Sequence, residues 1–229
     1  MINQWENAAE SFTIGQENSE YAEVNKKVVK QRFQQLNGKK VLDLGCGYGY
    51  YTDYFDSIGA NTVGMDGAQM MISIARKKFP DSRFIIADLY DSFPFDDKSF
   101  DIVFCNQVLM DIEKIDSVLC ECNRVLKDKG ILYYSIIHPA FYNGEWQTDD
   151  KGFKYAKAIS CYRTSYVSTN HFWGETYHFH RTLSEYLNTA AKAGFSLVHA
   201  DEPESYDGLH TTKELPLFFF AEYEKRNTV

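Results

Sequence analysis

The run Val41-Leu42-Asp43-Leu44-Gly45-Cys46-Gly47-Tyr48-Gly49 constrains this chain more than any other feature. Lys40–Leu44 reads as an apolar strand and Tyr50–Ile58 as a helix, so three glycines at alternate positions occupy the turn between them. A turn of this kind brings its backbone close to a ligand with no side chain in the way. Asp43 stands at the strand end, where a carboxylate can meet a cation. Asp66 ends the next strand about 20 residues on, the separation at which an acid grips ribose hydroxyls. The glycine spacing is G-x-G-x-G, whereas dinucleotide binders favour G-x-G-x-x-G, and Tyr50 stands where their third glycine belongs. An acid in front of the loop is unfavourable beside a pyrophosphate and favourable beside an α-amino group.

The loop opens an alternation of strand-like and helix-like segments that runs to about residue 138, the pattern of a parallel sheet covered by helices. Strands are expected at Thr62–Met65, Arg83–Ala87, Phe100–Cys105 and Ile131–Ile137, and a helix at Ala68–Lys78. Val118, Leu119, Cys122, Val125 and Leu126 form one apolar stripe at helical spacing, with Gly130 expected as a left-handed stop. Residues 139–182 then follow neither period. The alternation resumes with a helix over Leu183–Ala193, Gly194 as its cap, a strand over Phe195–Ala200 and a closing antiparallel strand over Leu217–Tyr223. Glu20–Leu36 reads as a helix lying across the sheet.

A length of 229 residues suits one α/β domain with a full core. The expected organisation is a single domain over 1–229: an N-terminal cover (1–38), a cofactor core (39–138), an acceptor lid (139–182) and the C-terminal end of the core (183–229). A net charge of −8 without a run of cations argues against nucleic acid as partner. No stretch is apolar for long enough to span a bilayer, and the N-terminus lacks a secretory pattern. Cys46, Cys105, Cys120, Cys122 and Cys161 show no paired spacing for a disulfide framework or a metal, so reduced thiols in a cytoplasmic protein are expected.

Segment 41–138 resembles the small-molecule, type 11 branch of the class I S-adenosylmethionine (SAM)-dependent methyltransferases. The resemblance rests on the glycine motif, on Val63-Gly64-Met65-Asp66 with Met70 and Met71 after it, on Ala87-Asp88-Leu89, and on Arg124-Val125-Leu126-Lys127 with Gly130. It implies a Rossmann-like α/β fold: a seven-stranded, mostly parallel sheet with an antiparallel last strand, helices on both faces, and here an aromatic-rich lid. It also implies SAM as cofactor and S-adenosylhomocysteine as product. By the same resemblance Asp43, Gly45 and Gly47 line the methionine end, Asp66 holds the ribose, and Asp88 accepts from the adenine amine with Leu89 beside the base. Cys46, Gly67 and Met71 belong to the cofactor-binding set. Asn106 and Gln107 fall under the sulfonium. Gly67-Ala68 replaces a polar turn found in many members.

Methyl transfer needs alignment and exclusion of water, and a base only where the acceptor arrives protonated. In such sheets ligands bind beyond the carboxyl ends of strands, where the lid leaves the fifth strand. The lid is rich in Phe, Tyr and Trp, and His138, His171, His178 and His180 lie at or inside it. His138, His180 and Tyr177 are the candidate catalytic residues, His138 being equally readable as a structural hydrogen-bonder. Alternation sends Tyr177, Phe179 and Arg181 to one side and His178 and His180 to the other, so only one set can face a pocket. Thr182 and Glu185 fit a capping box. The expected reaction moves a methyl group to O or N of a small organic acceptor. The alternatives are a non-catalytic SAM-binding protein, a nicotinamide oxidoreductase, disfavoured by Tyr50, and a protein or RNA methyltransferase. Asn106-Gln107-Val108-Leu109, in place of an Asn-Pro-Pro-Tyr motif, speaks against amide or adenine amino groups as acceptors.

Overall fold

The computed structural model describes residues 2–17 and 19–227. Two helices, α1 (Ile2–Glu17) and α2 (Glu20–Arg32), precede the first strand, β1 (Lys40–Leu44). The chain then alternates through α3 (Tyr50–Ser57), β2 (Asn61–Asp66), α4 (Gln69–Lys78), β3 (Arg83–Ile86), β4 (Phe100–Asn106), a single 3-10 turn (Leu109–Asp111), α5 (Ile115–Val125) and β5 (Leu126–Ile137). Four short strands follow, β6 (Glu145–Thr148), β7 (Lys154–Ala158), β8 (Tyr166–Asn170) and β9 (Thr176–His180). The sheet is completed by α6 (Leu183–Lys192), β10 (Phe195–Asp201) and β11 (Phe218–Lys225).

Seven strands pair in the order β10-β11-β5-β4-β1-β2-β3. The pairs among β1 to β5 are parallel, and β11 runs antiparallel to both of its neighbours. This is the Rossmann-like arrangement, with the last strand reversed. The inner strands β1, β2, β4 and β11 are buried on both faces, which is why they read as nearly continuous apolar runs, whereas the edge strands β10 and β3 are largely exposed. On one face Leu42, Leu44, Val103, Cys105 and Leu132 pack under Val118, Leu119 and Cys122 of α5 and Tyr186 of α6. On the other, Val41, Ile102, Phe104 and Tyr133 meet Val29 of α2, Phe33 and Phe55 of α3. Each such fully buried side chain contributes about 1.5–3 kcal/mol, so the two cores fix which strand ends come together.

Local expectations hold at several ends and fail at others. Gly194 has φ +93, and Thr182 with Glu185 makes both arms of a capping box. Helix α2 stops at Arg32, four residues short of the expected end, because Phe33 leaves the helix to fill the second core. Gly130 is not the left-handed stop: the positive φ falls on Lys129, at +59. Gly130 is required by space instead, since a Cβ there would lie 2.8 Å from the Lys127 carbonyl oxygen. Helix α1 was not expected as a separate element. The aperiodic lid resolves into two antiparallel hairpins, β6-β7 and β8-β9.

Candidate active site

At the carboxyl end of β1 the chain turns through Gly45, Gly47 and Gly49, with φ of +70, +52 and +88. These are values that L side chains rarely adopt. The Gly45 and Cys46 amides donate to the Met65 carbonyl at 2.7 and 3.1 Å, tying the loop to β2. Asp66 holds the loop from the other side: its Oδ2 accepts from the Gly47 N–H at 2.9 Å and its Oδ1 from the Ala68 N–H at 2.8 Å. Each carboxylate oxygen retains a second lone pair for a ligand hydroxyl. A Cβ on Gly45 would collide with Val108 at 2.5 Å, whereas one on Gly47 would meet nothing nearer than Met71 Sδ at 3.9 Å and would project into the cavity.

Asp43 is buried on β1 and accepts from the Thr52 hydroxyl at 2.7 Å. Burial pushes its carboxyl up to about 7, the Thr52 hydrogen bond opposes this, and the nearby Asp66 charge reinforces it. Burial also raises Asp66, against hydrogen bonds from the Ala68, Gly47 and Gly67 amides. The Cys46 thiol is driven well above its ordinary range by burial, with Asp43 and Asp66 adding to the effect, so it stays protonated and unreactive.

A cavity of about 760 Å³ opens over this loop. Asp43, Gly45, Cys46, Gly47, Asp66, Gly67, Met71, Asp88, Leu89, Asn106 and Gln107 all line it. Beyond β4 the floor is a polar cluster centred on Ser135 of β5. Its Oγ donates to Asn106 Oδ1 at 2.6 Å and accepts from Gln107 Nε2 at 3.0 Å. Asn25 of α2, held by the Tyr51 hydroxyl at 2.6 Å, reaches the same oxygen at 3.5 Å. Helix α1 forms the outer wall. Trp5 and Phe12 pack on Ala68 and Met71, and Phe12 meets the lid residue Trp173 edge to face at 5.9 Å. Gly15 lets Trp173 approach so closely that a Cβ would overlap its ring.

The three residues expected to be catalytic do not line this cavity. His138 is buried with both ring nitrogens occupied: Nε2 lies 2.7 Å from Glu202 Oε1 and Nδ1 accepts from the Ala140 N–H at 3.2 Å. Its ring stacks on Phe141 at 4.6 Å, so it closes the strand end and is not placed as a base. His180 donates from Nε2 to the Tyr162 carbonyl at 2.8 Å and stacks on Tyr166. Tyr177 is half exposed on the outer face of β9, with its hydroxyl on Glu175. Alternation on β9 turns Thr176 and His178 inward instead, and both line the cavity.

Of the two histidines on this face, His178 reaches the cavity and His180 does not. The His178 Nε2 lies 3.6 Å from Oδ1 of Asp111, which is buried on the 3-10 turn after β4. Burial lowers the imidazole to about 4 and raises the Asp111 carboxyl well above its usual range, against a hydrogen bond from Trp5. Tyr142 lies parallel to the imidazole at 6.0 Å. The sequence carried one signal for Asp111, an acid inside the apolar run Leu109-Met110-Asp111-Ile112. The lining also includes Asn170, Trp146 and Lys157. The Lys157 Nζ donates to the carbonyls of Phe141 and Tyr142 at 2.6 and 3.0 Å.

A glycine-rich cradle, the buried Asp43 and half-buried Asp66 carboxyl groups and an apolar slot at Met71 and Leu89 fit SAM, whose amino, ribose and adenine groups need such partners. A family model for the methyltransferase domain matches residues 42–134. A putative SAM-dependent methyltransferase from Listeria monocytogenes superposes over 90% of this chain and 100% of its own, with TM-score 0.78 and 26% identity. The fold and site thus define a class I SAM-dependent methyltransferase domain. Within that class, the matched segment 42–134 is similar to the type 11 methyltransferase domain.

Among curated relatives, a ubiquinone biosynthesis O-methyltransferase of Actinobacillus pleuropneumoniae is 30% identical over 120 residues, 48% of this chain and 50% of that protein. A malonyl-[acyl-carrier protein] O-methyltransferase of Legionella pneumophila is 33% identical over 128 residues, 52% of this chain and 45% of that protein. The matched segments thus span about half the length of these relatives. Among the described residues no helix is long and apolar enough to cross a membrane.

Proposed function

We propose that this protein transfers the methyl group of SAM to an oxygen or nitrogen of a small organic acceptor. The observation that carries the reading is that one cavity is lined both by the glycine cradle and by residues of segment 139–182, which would wall an acceptor chamber. SAM supplies a methyl group on a positively charged sulfur, activated for in-line displacement. The chain's own work is to orient and to exclude water. Asp43 would face the ligand's amino group, Asp66 its ribose and Asp88 its adenine amine. Gly45, Cys46 and Gly47 would pass under the methionine portion, Gly67 beside the ribose, and Met71 and Leu89 beside the base. Asn106 and Gln107, fixed by Ser135, would sit below the sulfonium. Trp5 and Phe12 close the outer wall, and Trp173 extends that wall from the lid.

The two O-methyltransferases among the relatives favour oxygen as the methylated atom. The net charge of −8 opposes association with a nucleic-acid backbone, which supports a small acceptor. All five cysteines are unpaired, which fits a reducing cytoplasm. Calorimetry tests the reading: SAM and S-adenosylhomocysteine should bind and NADH should not. Asp66→Ala, which releases both the Gly47 and Ala68 amides, should abolish binding. Binding of NADH alone would refute the proposal.

A further inference from the structure

Buried polar atoms without a partner are few in native proteins, and each calls for an explanation. Among the described residues six side-chain atoms are in this position, and four belong to residues lining the acceptor chamber: Asp111 Oδ1, Asn170 Nδ2, Thr176 Oγ1 and His178 Nδ1. Asn170 and Thr176 face each other across the β8-β9 hairpin, and His178 follows on the same face. Three elements, the hairpin, the 3-10 turn after β4 and α1 through Trp5, thus aim donors and acceptors at one volume. The chamber is built to be completed by a polar ligand.

The charges restrict that ligand. Lys26 and Lys157 are the cations among the lining residues. Lys26 is paired with Glu23 at 2.7 Å, and Lys157 is spent on the Phe141 and Tyr142 carbonyls. An anionic acceptor would find no cation waiting. The walls are aromatic: Tyr142 lies parallel to the His178 imidazole, within 2°, and Trp146 and Tyr206 meet edge to face at 5.5 Å.

Resting on the methyltransferase reading, we propose that the acceptor is an uncharged planar hydroxyl compound, a phenol or enol, and that it delivers its proton to Nδ1 of His178, whose Nε2 stands beside the Asp111 carboxyl. As the acceptor oxygen forms its bond to the methyl carbon, the carbon–sulfur bond breaks and its electron pair stays on sulfur. The O–H proton, made strongly acidic by that bond formation, passes to Nδ1. A weak base suffices for such a proton, which suits an imidazole held neutral by burial. Asp111 is neutral in the resting site because burial raises its carboxyl. The imidazolium formed 3.6 Å away and the Trp5 hydrogen bond both favour its ionised form, and the transferred proton then returns to solvent. Asn170 and Thr176 would hold the ring's other polar substituents.

The test uses the full chain, labelled with ¹⁵N at histidine and saturated with S-adenosylhomocysteine. The probes, used at about pH 6, are 4-nitrophenol, whose hydroxyl is then protonated, benzoate and benzylamine. 4-Nitrophenol should bind and move the His178 Nδ1 resonance, assigned by its loss in His178→Gln. His178→Gln should weaken 4-nitrophenol at least about tenfold and leave S-adenosylhomocysteine affinity within about twofold. Asp111→Asn, which keeps the volume, should move the His178 resonances in the absence of probe. The inference is overturned if benzoate or benzylamine binds in preference, if His178→Gln binds 4-nitrophenol as well as the parent, or if no probe binds while S-adenosylhomocysteine does. Failure of S-adenosylhomocysteine to bind removes the methyltransferase reading itself.

Discussion

Replacing Asp43 by Asn should make the ligand-free protein more stable at neutral pH. The Asp43 carboxyl is pushed from 3.8 to about 7 by burial. Between those two values the native state keeps a proton that the unfolded chain has released, so this group's contribution to stability is fully present below 3.8 and is lost as pH rises through 7. At about 1.4 kcal/mol per pH unit, the interval corresponds to about 4 kcal/mol, a large share of the 5–15 kcal/mol typical of a domain. Asn retains the acceptor for the Thr52 hydroxyl and does not titrate. In urea denaturation from pH 5 to 8, D43N should gain about 3 kcal/mol on the parent, with the slope against urea unchanged. A gap between the two proteins that stays constant to within about 0.5 kcal/mol would refute the reasoning. A second consequence follows for the ligand. If Asp43 meets its amino group, S-adenosylhomocysteine affinity should fall with pH below 7, approaching about tenfold per unit, and binding at pH 6 should release a proton that calorimetry in buffers of different ionisation enthalpy detects.

Gly47→Ala and Gly64→Ala should fail in opposite ways. At Gly47 the methyl group enters the cavity; the positive φ costs about 1–2 kcal/mol and S-adenosylhomocysteine affinity should drop at least about tenfold. At Gly64 a Cβ would lie 2.6 Å from Thr52 Oγ1 and 2.7 Å from Phe84, so thermal denaturation should show an overpacking loss of about 1–3 kcal/mol. His138→Ala should lower the melting temperature through loss of the Glu202 and Ala140 hydrogen bonds and leave S-adenosylhomocysteine binding unchanged; a loss of binding with unaltered stability would return His138 to the site.

The parallel core was legible because it repeats one local rule, an apolar strand followed by an amphipathic helix, and because the glycine loop needs backbone conformations that few residues supply. Asp43 and Asp66 were legible by position, since strand ends fix where their carboxyl groups emerge. The lid was not. Its hairpins place polar residues on the inner face, as with Thr176 and His178, so the usual alternation of apolar inside and polar outside is inverted and reads as no pattern. His138 misled because nearness to a strand end does not determine what a ring nitrogen meets. Its partner Glu202 lies 64 residues away. Asp111 was hidden by its place in a 3-10 turn too short to have a period.

The contact between Gly15 and Trp173 joins two elements far apart in the sequence, because the ring fills the space a side chain at position 15 would need. The Ser11 hydroxyl, one turn earlier on α1, donates to the Trp173 carbonyl. Helix α1 is thereby latched to the lid. Moving α1 off Met71 to uncover the cofactor half must break the same latch as moving the lid off the acceptor half. The two walls of the cavity therefore share one point of attachment.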